Sequence, residues 1–568
     1  MRRSPSATLV AVVAALVVLA SACGSDGEDA QPAVRPEVPT TDGGAPVSGG
    51  TLVDLQNFAT SGDPDHIDPA LATTVQSAQP GHLLWDGLTE TDYRTGELRP
   101  MVAERWDSNG DATVWTFKLR PGVTFSNGDP VQPSDFKYAW ERVVTRSMAS
   151  SLSYHLTDNA RIKGARAMLE GTGTELTGVR ADDANLSLTV ELEAPLGIFP
   201  TVVSHLVFSP MNRRTVSQLP DQAAYEQGIM IGNGPYRLAE PWKHGRSITL
   251  VRNDTYWGGL NGHKAYIDRI EFQISRDVSS AYTQFESGQA QTAYIPPGRY
   301  GEARARYGTN ISDRPVLGVY YWAFNMRDPV VGGADNVKLR QAIALAIDRQ
   351  AIVDTLYRGT RKVATGFTPP GVPGHREGLS ELVRRDLDRA RRVLGEWERE
   401  TDRDASRLEP IKLNFSSGGG HDSVATLIQA NLRDLGIESS LDARDPTTYV
   451  TQMRRGEGQF LRSGWFWDYA AYDNGLFPVF DSRAIGGDNL ALYENPKFDA
   501  AIDEARRQRE PGAAIPIYQG AERTVLDQDV VVVPLNWYTG QVVYAGELRN
   551  VVQGALGFFA YDEMWLAK

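Results

Sequence analysis

Apolar and polar positions alternate through an early stretch of the chain, and this alternation predicts its first regular elements. Trp115, Phe117 and Leu119 fall on one face, as in a strand that is half buried. The Asn127-Gly128 pair then predicts a hairpin turn. Beyond this turn the apolar positions recur every three or four residues, which predicts an amphipathic helix. They are Phe136, Ala139, Trp140 and Val143.

A second pattern predicts a βαβ unit. Residues 411–415 have the pattern of an apolar strand, residues 422–435 that of an amphipathic helix ended by Gly436, and residues 437–441 that of a second strand. Strands joined by a helix are parallel, and the helices cover the faces of their sheet. Ligands of such sheets bind beyond the carboxyl ends of the strands. The predicted fold class is therefore α/β.

The stretch from Arg462 to Tyr469 concentrates the candidate binding chemistry in one turn-prone run. Gly464 has no Cβ and lets another backbone come close. Asp468 stands among aromatic residues, and a carboxylate desolvated in this way needs a cation. No basic residue follows closely, which points to a cation supplied by a ligand. The residues that would wall an apolar pocket are Trp465, Phe466, Trp467 and Tyr469.

Length and charge narrow the class of protein. A chain of 568 residues is too long for one hydrophobic core and predicts two to four domains. Lys and Arg number 58 against 71 Asp and Glu, which gives a net charge of −13 at pH 7. An acidic balance argues against nucleic acid or another polyanion as a partner.

The N-terminal segment 1–22 has the organisation of an export signal. Arg2 and Arg3 precede an apolar run that is too short for a comfortable membrane span, and small residues end the run. Cys23 is the only cysteine, which excludes disulfides, zinc–thiolate clusters and a cysteine nucleophile from the folded part. The segment resembles a lipoprotein signal peptide with lipid attached to Cys23; an ordinary secretory signal is the alternative. Residues 23–50, rich in Gly, Pro and Ser, predict a disordered tether.

Sequence motifs of common enzyme classes are missing. The chain has no Gly-x-Ser-x-Gly, His-Glu-x-x-His or Gly-x-x-x-x-Gly-Lys motif. The loop 61–69 has three acids and one His, but its spacing matches no calcium loop and favours a turn. The paired carboxylates of a glycoside hydrolase need not be sequence neighbours and stay open. We predict a binding protein with no metal, cofactor or catalytic activity.

Several short motifs occur in order between Leu52 and Leu566. They are 101–106, 115–128, 232–236 with 252–257, 339–342 with 346–349, and Gly464-Trp465 with Asp468-Tyr469. Each motif is weakly specific alone. Together, in this order behind the N-terminal segment, they resemble the lipid-anchored solute-binding proteins of bacterial peptide ABC importers, the dipeptide/oligopeptide-binding family.

The resemblance implies a periplasmic-binding-protein-like α/β fold of two lobes joined by two crossing hinge strands. Lobe 1 would contain residues 51–275 and 530–568, with an inserted subdomain at about 91–194. Lobe 2 would contain residues 276–529. The lobes would close on a hinge over a ligand, without chemistry.

The resemblance also implies roles for individual residues. In peptide-binding members the Asp of the Gly-Trp-x-x-Asp-Tyr stretch takes the α-ammonium group of the peptide, and Asp468 matches it. Arg462 stands where some members bind the peptide carboxylate. The backbone of residues 464–466 would pair with an extended peptide, and Trp467 replaces a residue that is often small. The protein would be a monomer, held on the outer face of the cell membrane through Cys23, that delivers peptides to a membrane permease.

Other interpretations stay open. Aromatic rings also stack on sugars, so an oligosaccharide is an alternative ligand for the same fold. Nickel or haem is another ligand class within the family. A sensor that acts through a receptor and an extracellular hydrolase are alternatives from other classes. The aromatic stretch is also compatible with a core strand that ends at a capping Asp468, because aromatic clusters more often pack than bind.

Overall fold

The computed structural model describes residues 45–55, 63–259, 265–275, 277–296 and 298–567. The predicted signal segment, Cys23 and most of the predicted tether lie outside the described residues. Within those ranges, no helix combines the length and the apolar character needed to cross a membrane.

Strands and helices are interspersed along the described part of the chain. Its strands are β1 (Thr51–Asp54), β2 (Thr89–Thr91), β3 (Leu98–Pro100), β4 (Ala103–Ser108), β5 (Val114–Leu119), β6 (Val179–Asp182), β7 (Ser187–Glu191), β8 (Tyr236–Leu238), β9 (Ser247–Arg252), β10 (Arg269–Gln273), β11 (Thr292–Tyr294), β12 (Ile311–Ser312), β13 (Pro315–Phe324), β14 (Lys362–Val363), β15 (Ile411–Ser416), β16 (Ser439–Arg444), β17 (Phe460–Phe466), β18 (Val532–Thr539), β19 (Val542–Tyr544), β20 (Leu548–Arg549) and β21 (Trp565–Leu566). Its α-helices are α1 (Val75–Leu84), α2 (Pro133–Val144), α3 (Ala165–Glu170), α4 (Phe199–Val202), α5 (Arg213–Val216), α6 (Val278–Glu286), α7 (Tyr300–Tyr307), α8 (Val337–Ala346), α9 (Arg349–Leu356), α10 (Leu387–Thr401), α11 (His421–Arg433), α12 (Pro446–Arg454), α13 (Tyr472–Phe480), α14 (Pro496–Arg506) and α15 (Pro511–Arg523).

The first large sheet has the strand order β12-β19-β11-β1-β10-β9-β8. Strand β1 runs parallel to β10, with Leu52 opposite Ile270, and β19 is antiparallel to both β11 and β12. Adjacent residues of β19 enter different apolar clusters, Val542 on one side of the sheet and Val543 on the other. This sheet and the elements packed on it are lobe 1.

The second large sheet has the strand order β14-β18-β13-β17-β15-β16 and forms the centre of lobe 2. The predicted βαβ unit is confirmed: β15 and β16 are parallel, with Ile411 opposite Ser439, and α11 connects them. Tyr320 and Tyr321 of β13 belong to the clusters on opposite faces of the sheet. Both faces are therefore covered, as the α/β prediction requires.

A separate four-stranded sheet of order β4-β5-β7-β6 falls within the range predicted for an inserted subdomain. The predicted alternation is confirmed, because Trp115, Phe117 and Leu119 are all buried. The turn at Asn127-Gly128 also forms, with a φ of 86° at the glycine, where a side chain would be strained. The subdomain belongs to the same apolar cluster as the sheet of lobe 1.

Two chain crossings lie side by side and join the lobes. One leads from β12 to β13 and the other from β18 to β19; between them, the Gly540 N–H donates to the Arg314 carbonyl over 2.9 Å. Strand pairing therefore places the crossings later than the predicted bounds at 275 and 529. The reason is that α6, β11 and β12 belong to lobe 1, where Phe285 packs in one cluster with Val543. The predicted two-lobed fold itself is confirmed.

Candidate functional site

Strand β17 and the turn after it carry all the predicted ligand-contacting residues. The strand pairs with β13 along its whole length, with Gly464 opposite Tyr320. It pairs with β15 only at Phe460 and Leu461. From Arg462 onward, one edge of β17 has no strand partner in the described part of the chain. The predicted single turn-prone run is thus a strand with a free edge followed by a turn.

The alternation of β17 separates the predicted residues onto two faces. Phe466 stacks on Tyr538 with 4.5 Å between ring centroids, and its side chain is 45% exposed. A Cβ at Gly464 would lie 2.7 Å from the hydroxyl of the same Tyr538. Gly464 therefore makes room for a phenol ring on this face. Trp465 packs instead against the apolar cluster on the opposite face.

Arg462 lies on the Tyr538 face together with a second arginine, Arg361. The Arg462 guanidinium carbon is 4.8 Å from the centroid of Tyr320, and Nη2 is 3.5 Å from the Tyr538 hydroxyl. Arg361 lies over Tyr538 at 4.7 Å and donates to Oδ1 of Asn536 over 3.2 Å. We call Arg361 and Arg462 the guanidinium cluster. Neither forms an ion pair with a carboxylate within 4 Å in the described part of the chain.

His421 borders the guanidinium cluster but adds no charge at neutral pH. Its Nδ1 is 3.1 Å from the Tyr320 hydroxyl. Burial, together with the nearby charges of Arg462 and Arg361, lowers the pKa of His421 to about 4. The cluster is consequently a site of positive charge supported by phenol rings and a neutral imidazole.

Asp468 lies in the turn after β17 and is held by an amide. Its backbone N–H donates to Oδ1 of Asn474 over 2.8 Å, and Nδ2 of Asn474 donates to its carboxylate over 3.0 Å. No described Lys, Arg or His lies within ion-pair distance of this carboxylate. Burial raises the pKa of Asp468 to about 6, the Asn474 bond opposes the rise, and the charge of Asp488 adds to it.

Lobe 1 approaches Asp468 through Tyr154. Burial raises the pKa of the Tyr154 phenol, and the charge of Asp468 is the next cause of that rise. Tyr469, directly after Asp468, accepts a hydrogen bond of 2.9 Å from Nδ2 of Asn159 in lobe 1. Asp468 therefore lies where the two lobes meet.

Trp467 does not line an open pocket. Its side chain is 4% exposed, packs against Phe367 and Gly475 within lobe 2, and donates from Nε1 to the Ala471 carbonyl over 3.1 Å. The predicted wall of four aromatic residues is therefore not formed. Trp467 and Tyr469 are core residues, Trp465 supports the back of the sheet, and Phe466 alone is exposed.

Sequence reasoning missed the partners that give the site its geometry. Arg361, Tyr538 and Tyr154 are distant in sequence from β17, and no local pattern marks them. Asn474 left a local signal, because it lies six positions after Asp468 in the first turn of a helix, where polar side chains commonly bond nearby backbone and side chains.

A family model described as bacterial extracellular solute-binding proteins, family 5 Middle, matches residues 97–487. The chain belongs to this family of solute-binding proteins. It is 27% identical to the dipeptide-binding protein DppE of Bacillus subtilis over 515 residues, which cover 89% of this chain and 90% of that protein.

Solved structures share the same fold. The murein tripeptide binding protein MppA of Escherichia coli superposes with a TM-score of 0.74 at 23% identity, covering 92% of this chain and 99% of that one. OppA of Haemophilus influenzae in complex with RPPGFSPFR superposes with a TM-score of 0.73 at 23% identity, covering 92% and 100%. These likenesses confirm the two-lobed α/β architecture.

Proposed function

We propose that this family 5 solute-binding protein captures short peptides between its lobes, with one charged end of the peptide at each end of the free edge of β17. Asp468 takes the α-ammonium group, and the guanidinium cluster takes the α-carboxylate. One observation carries the proposal: the site holds opposite charges that the described protein leaves unmatched. Asp468 has an amide partner but no cation, and Arg361 and Arg462 have aromatic partners but no anion.

Electrostatics favour a ligand that supplies both missing charges. A desolvated carboxylate without a cation is costly, which is why burial raises the pKa of Asp468 to about 6. A bound ammonium group would offset that cost and restore the ionised form. Charge-assisted hydrogen bonds from a guanidinium to a carboxylate are correspondingly strong and directional.

The free edge of β17 suits an extended peptide backbone. Main-chain hydrogen bonds along a strand edge give affinity that does not depend on peptide sequence. Asp468 lies six residue steps after Arg462, and at about 3.3 Å per step the two are at most roughly 20 Å apart. An extended peptide of about six residues or fewer bridges that distance.

The relatives support peptides as the ligand class: DppE is a dipeptide-binding protein, and the OppA structure is a complex with the peptide RPPGFSPFR. We also propose that residues 1–22 direct export and that Cys23 carries the lipid. The protein then acts as a monomer that delivers its ligand to an ABC permease without catalysis. Mass spectrometry of the mature N-terminus tests the Cys23 modification directly.

Calorimetry of Asp468→Asn tests the ammonium assignment. Removing one partner of a buried pair typically costs about 3–5 kcal/mol, and the lower value fits a half-buried group, so affinity for free-amine peptides should fall roughly a hundredfold. N-acetylated peptides should bind the parent and the variant alike. Asp388→Asn, at an exposed aspartate of lobe 2, is the matched control and should leave both affinities unchanged.

Equal losses for free and acetylated peptides would show that Asp468 supports the loop rather than the ligand. A ligand other than a peptide would be revealed by mass spectrometry of the solute that copurifies with the parent protein.

A further inference from the structure

A buried contact between the lobes lies beside the Asp468 turn and uses none of the residues assigned to the ligand. Arg506, the last residue of α14 in lobe 2, is 5% exposed. Its Nη2 donates to both the carbonyl oxygen and Oδ1 of Asn159 in lobe 1, the latter over 3.1 Å. Asn159 in turn donates from Nδ2 to the Tyr469 hydroxyl. One amide thus joins the end of α14 to the residue next to Asp468.

Gly197 of lobe 1 makes a second contact with the same helix end. Its N–H donates over 2.8 Å to the carbonyl of Arg506, one of the helix-terminal carbonyls that have no partner within the helix. A Cβ at Gly197 would overlap the carbonyl oxygen of Gln508 and lie 2.6 Å from its carbon. The nearest obstructing atoms all belong to Gln508 and Arg509 of lobe 2. The glycine is therefore required by the approach of the other lobe.

Lobe 2 holds Arg506 in place independently of lobe 1. Nε of Arg506 is 3.3 Å from Oδ1 of Asp473, whose side chain is 1% exposed. The guanidinium also lies 4.2 Å from the ring centroid of Phe477. Tyr518 donates its hydroxyl to the same Asp473 oxygen over 3.1 Å. This arrangement fixes the donor before the lobes meet.

We infer that Arg506, Asn159 and Gly197 form an interlobe latch that stabilises the closed state and positions the Asp468 turn. Each of these contacts joins one lobe to the other, so separating the lobes at this point would leave Arg506 and Asn159 to be solvated apart. Apparent affinity scales with the fraction of protein in the binding-competent state. The latch therefore strengthens the binding of every ligand by a common factor, and the inference depends on the two-lobed fold, not on the peptide assignment.

Gly197→Ala is the direct test, with Gly110→Ala as its matched control. Gly110 lies in the same lobe, has no atom within 4 Å of an added Cβ and does not need a positive φ. Because Cys23 is the only cysteine, spin labels at Thr116→Cys and Thr426→Cys in a Cys23→Ser background report the interlobe distance without any ligand. Both label positions are exposed, one in each lobe. Gly197→Ala should shift the distance distribution to longer values and lower the affinity for a defined pool of tri- to pentapeptides at least tenfold, with an unchanged far-UV spectrum.

Asn159→Ala is a second, milder test, because the Asn159 carbonyl still accepts from Arg506. It should lengthen the distances less and lower affinity about threefold. If Gly197→Ala and Asn159→Ala both gave the distances and affinities of Gly110→Ala, the latch would be refuted. A failure of Asp468→Asn to discriminate acetylated peptides would leave the distance shift in place, so the two proposals fail separately.

Discussion

Strand β17 and the turn that follows it carry adjacent predicted binding residues but surround them differently. On β17, Arg462 and Phe466 both lie against an aromatic layer: Phe466 stacks on Tyr538, and Arg462 lies over Tyr320 with Nη2 3.5 Å from the Tyr538 hydroxyl. In the turn, Trp467 and Tyr469 are core residues, and only Asp468 between them is partly exposed. The difference teaches that the binding chemistry here lies in charged groups on an aromatic support, while the aromatic rings themselves mostly hold the protein together.

The largest expected effect is a difference in the free energy of unfolding between a variant in the turn and a variant on β17. Trp467→Ala should lower the free energy of unfolding by about 3–5 kcal/mol, because it removes a large buried ring from the lobe 2 core. Phe466→Ala should lower it by less than about 1 kcal/mol, since that ring is 45% exposed. Urea denaturation of both variants provides the measurement. Similar losses in the two variants would contradict the division between core turn and exposed strand.

The next effect concerns the charge on β17. Arg462→Met should weaken binding of peptides with a free carboxylate by about 2 kcal/mol, roughly thirtyfold, and Arg361→Met by less. C-terminally amidated peptides should lose little. Arg391→Met, at an exposed arginine of lobe 2, is the control. If amidated and free peptides lost affinity equally in Arg462→Met, the guanidinium cluster would be a structural feature only.

The third effect, smaller again, is the pH dependence of peptide affinity that Asp468 in the turn should cause. With the pKa of Asp468 at about 6 in the free protein and lower when an ammonium group is bound, binding requires loss of a proton below pH 6. Affinity for free-amine peptides should be constant above about pH 7 and fall about tenfold per pH unit below 6. Titrations at pH 7.5, 6.0 and 5.0 measure this. Acetylated peptides, or Asp468→Asn, should give a flat profile; a slope in either would assign the pH dependence to another group.

The smallest expected effect is a gain in folding stability when Asp468 loses its charge. A carboxylate whose folded pKa is raised favours folding at low pH and opposes it as pH rises from its ordinary value near 3.8 towards 6. Asp468→Asn should therefore stabilise the ligand-free protein at pH 7 by about 1 kcal/mol, since partial exposure and the altered Asn474 bond reduce the full effect. The gain should disappear near pH 4. Thermal unfolding at both pH values would detect it, and a destabilised variant at pH 7 would contradict the electrostatic account.

Local pattern was sufficient to predict much of the fold. The alternation of Trp115, Phe117 and Leu119 and the strand–helix–strand spacing from residue 411 both correspond to observed elements. These signals are strong because strand and helix periods differ and each applies to consecutive residues. The crossing positions were predicted too early, because α6 and β11 have ordinary local patterns and only their packing in lobe 1 assigns them there.

The candidate site was less predictable, for a physical reason. The sequence shows that Arg462, Phe466 and Trp467 are neighbours, but not that the sheet turns the first two towards Tyr538 and that Trp467 enters the lobe 2 core. Which aromatic ring binds and which packs is decided by strands that are distant in sequence. Asp468 was recognisable from sequence because a carboxylate among aromatic residues is costly to desolvate and therefore needs a partner of opposite charge.

The last part of the chain has a consequence for how the protein is made. Strand β18 lies between β14 and β13, and strand β19 lies between β12 and β11, so residues 532–544 fill an inner position in both large sheets. Neither sheet is continuous until those residues have left the ribosome. The nascent chain is thus kept from locking into its final topology until residues 532–544 have been synthesised. A stop codon shortly before residue 532 would disable both lobes at once.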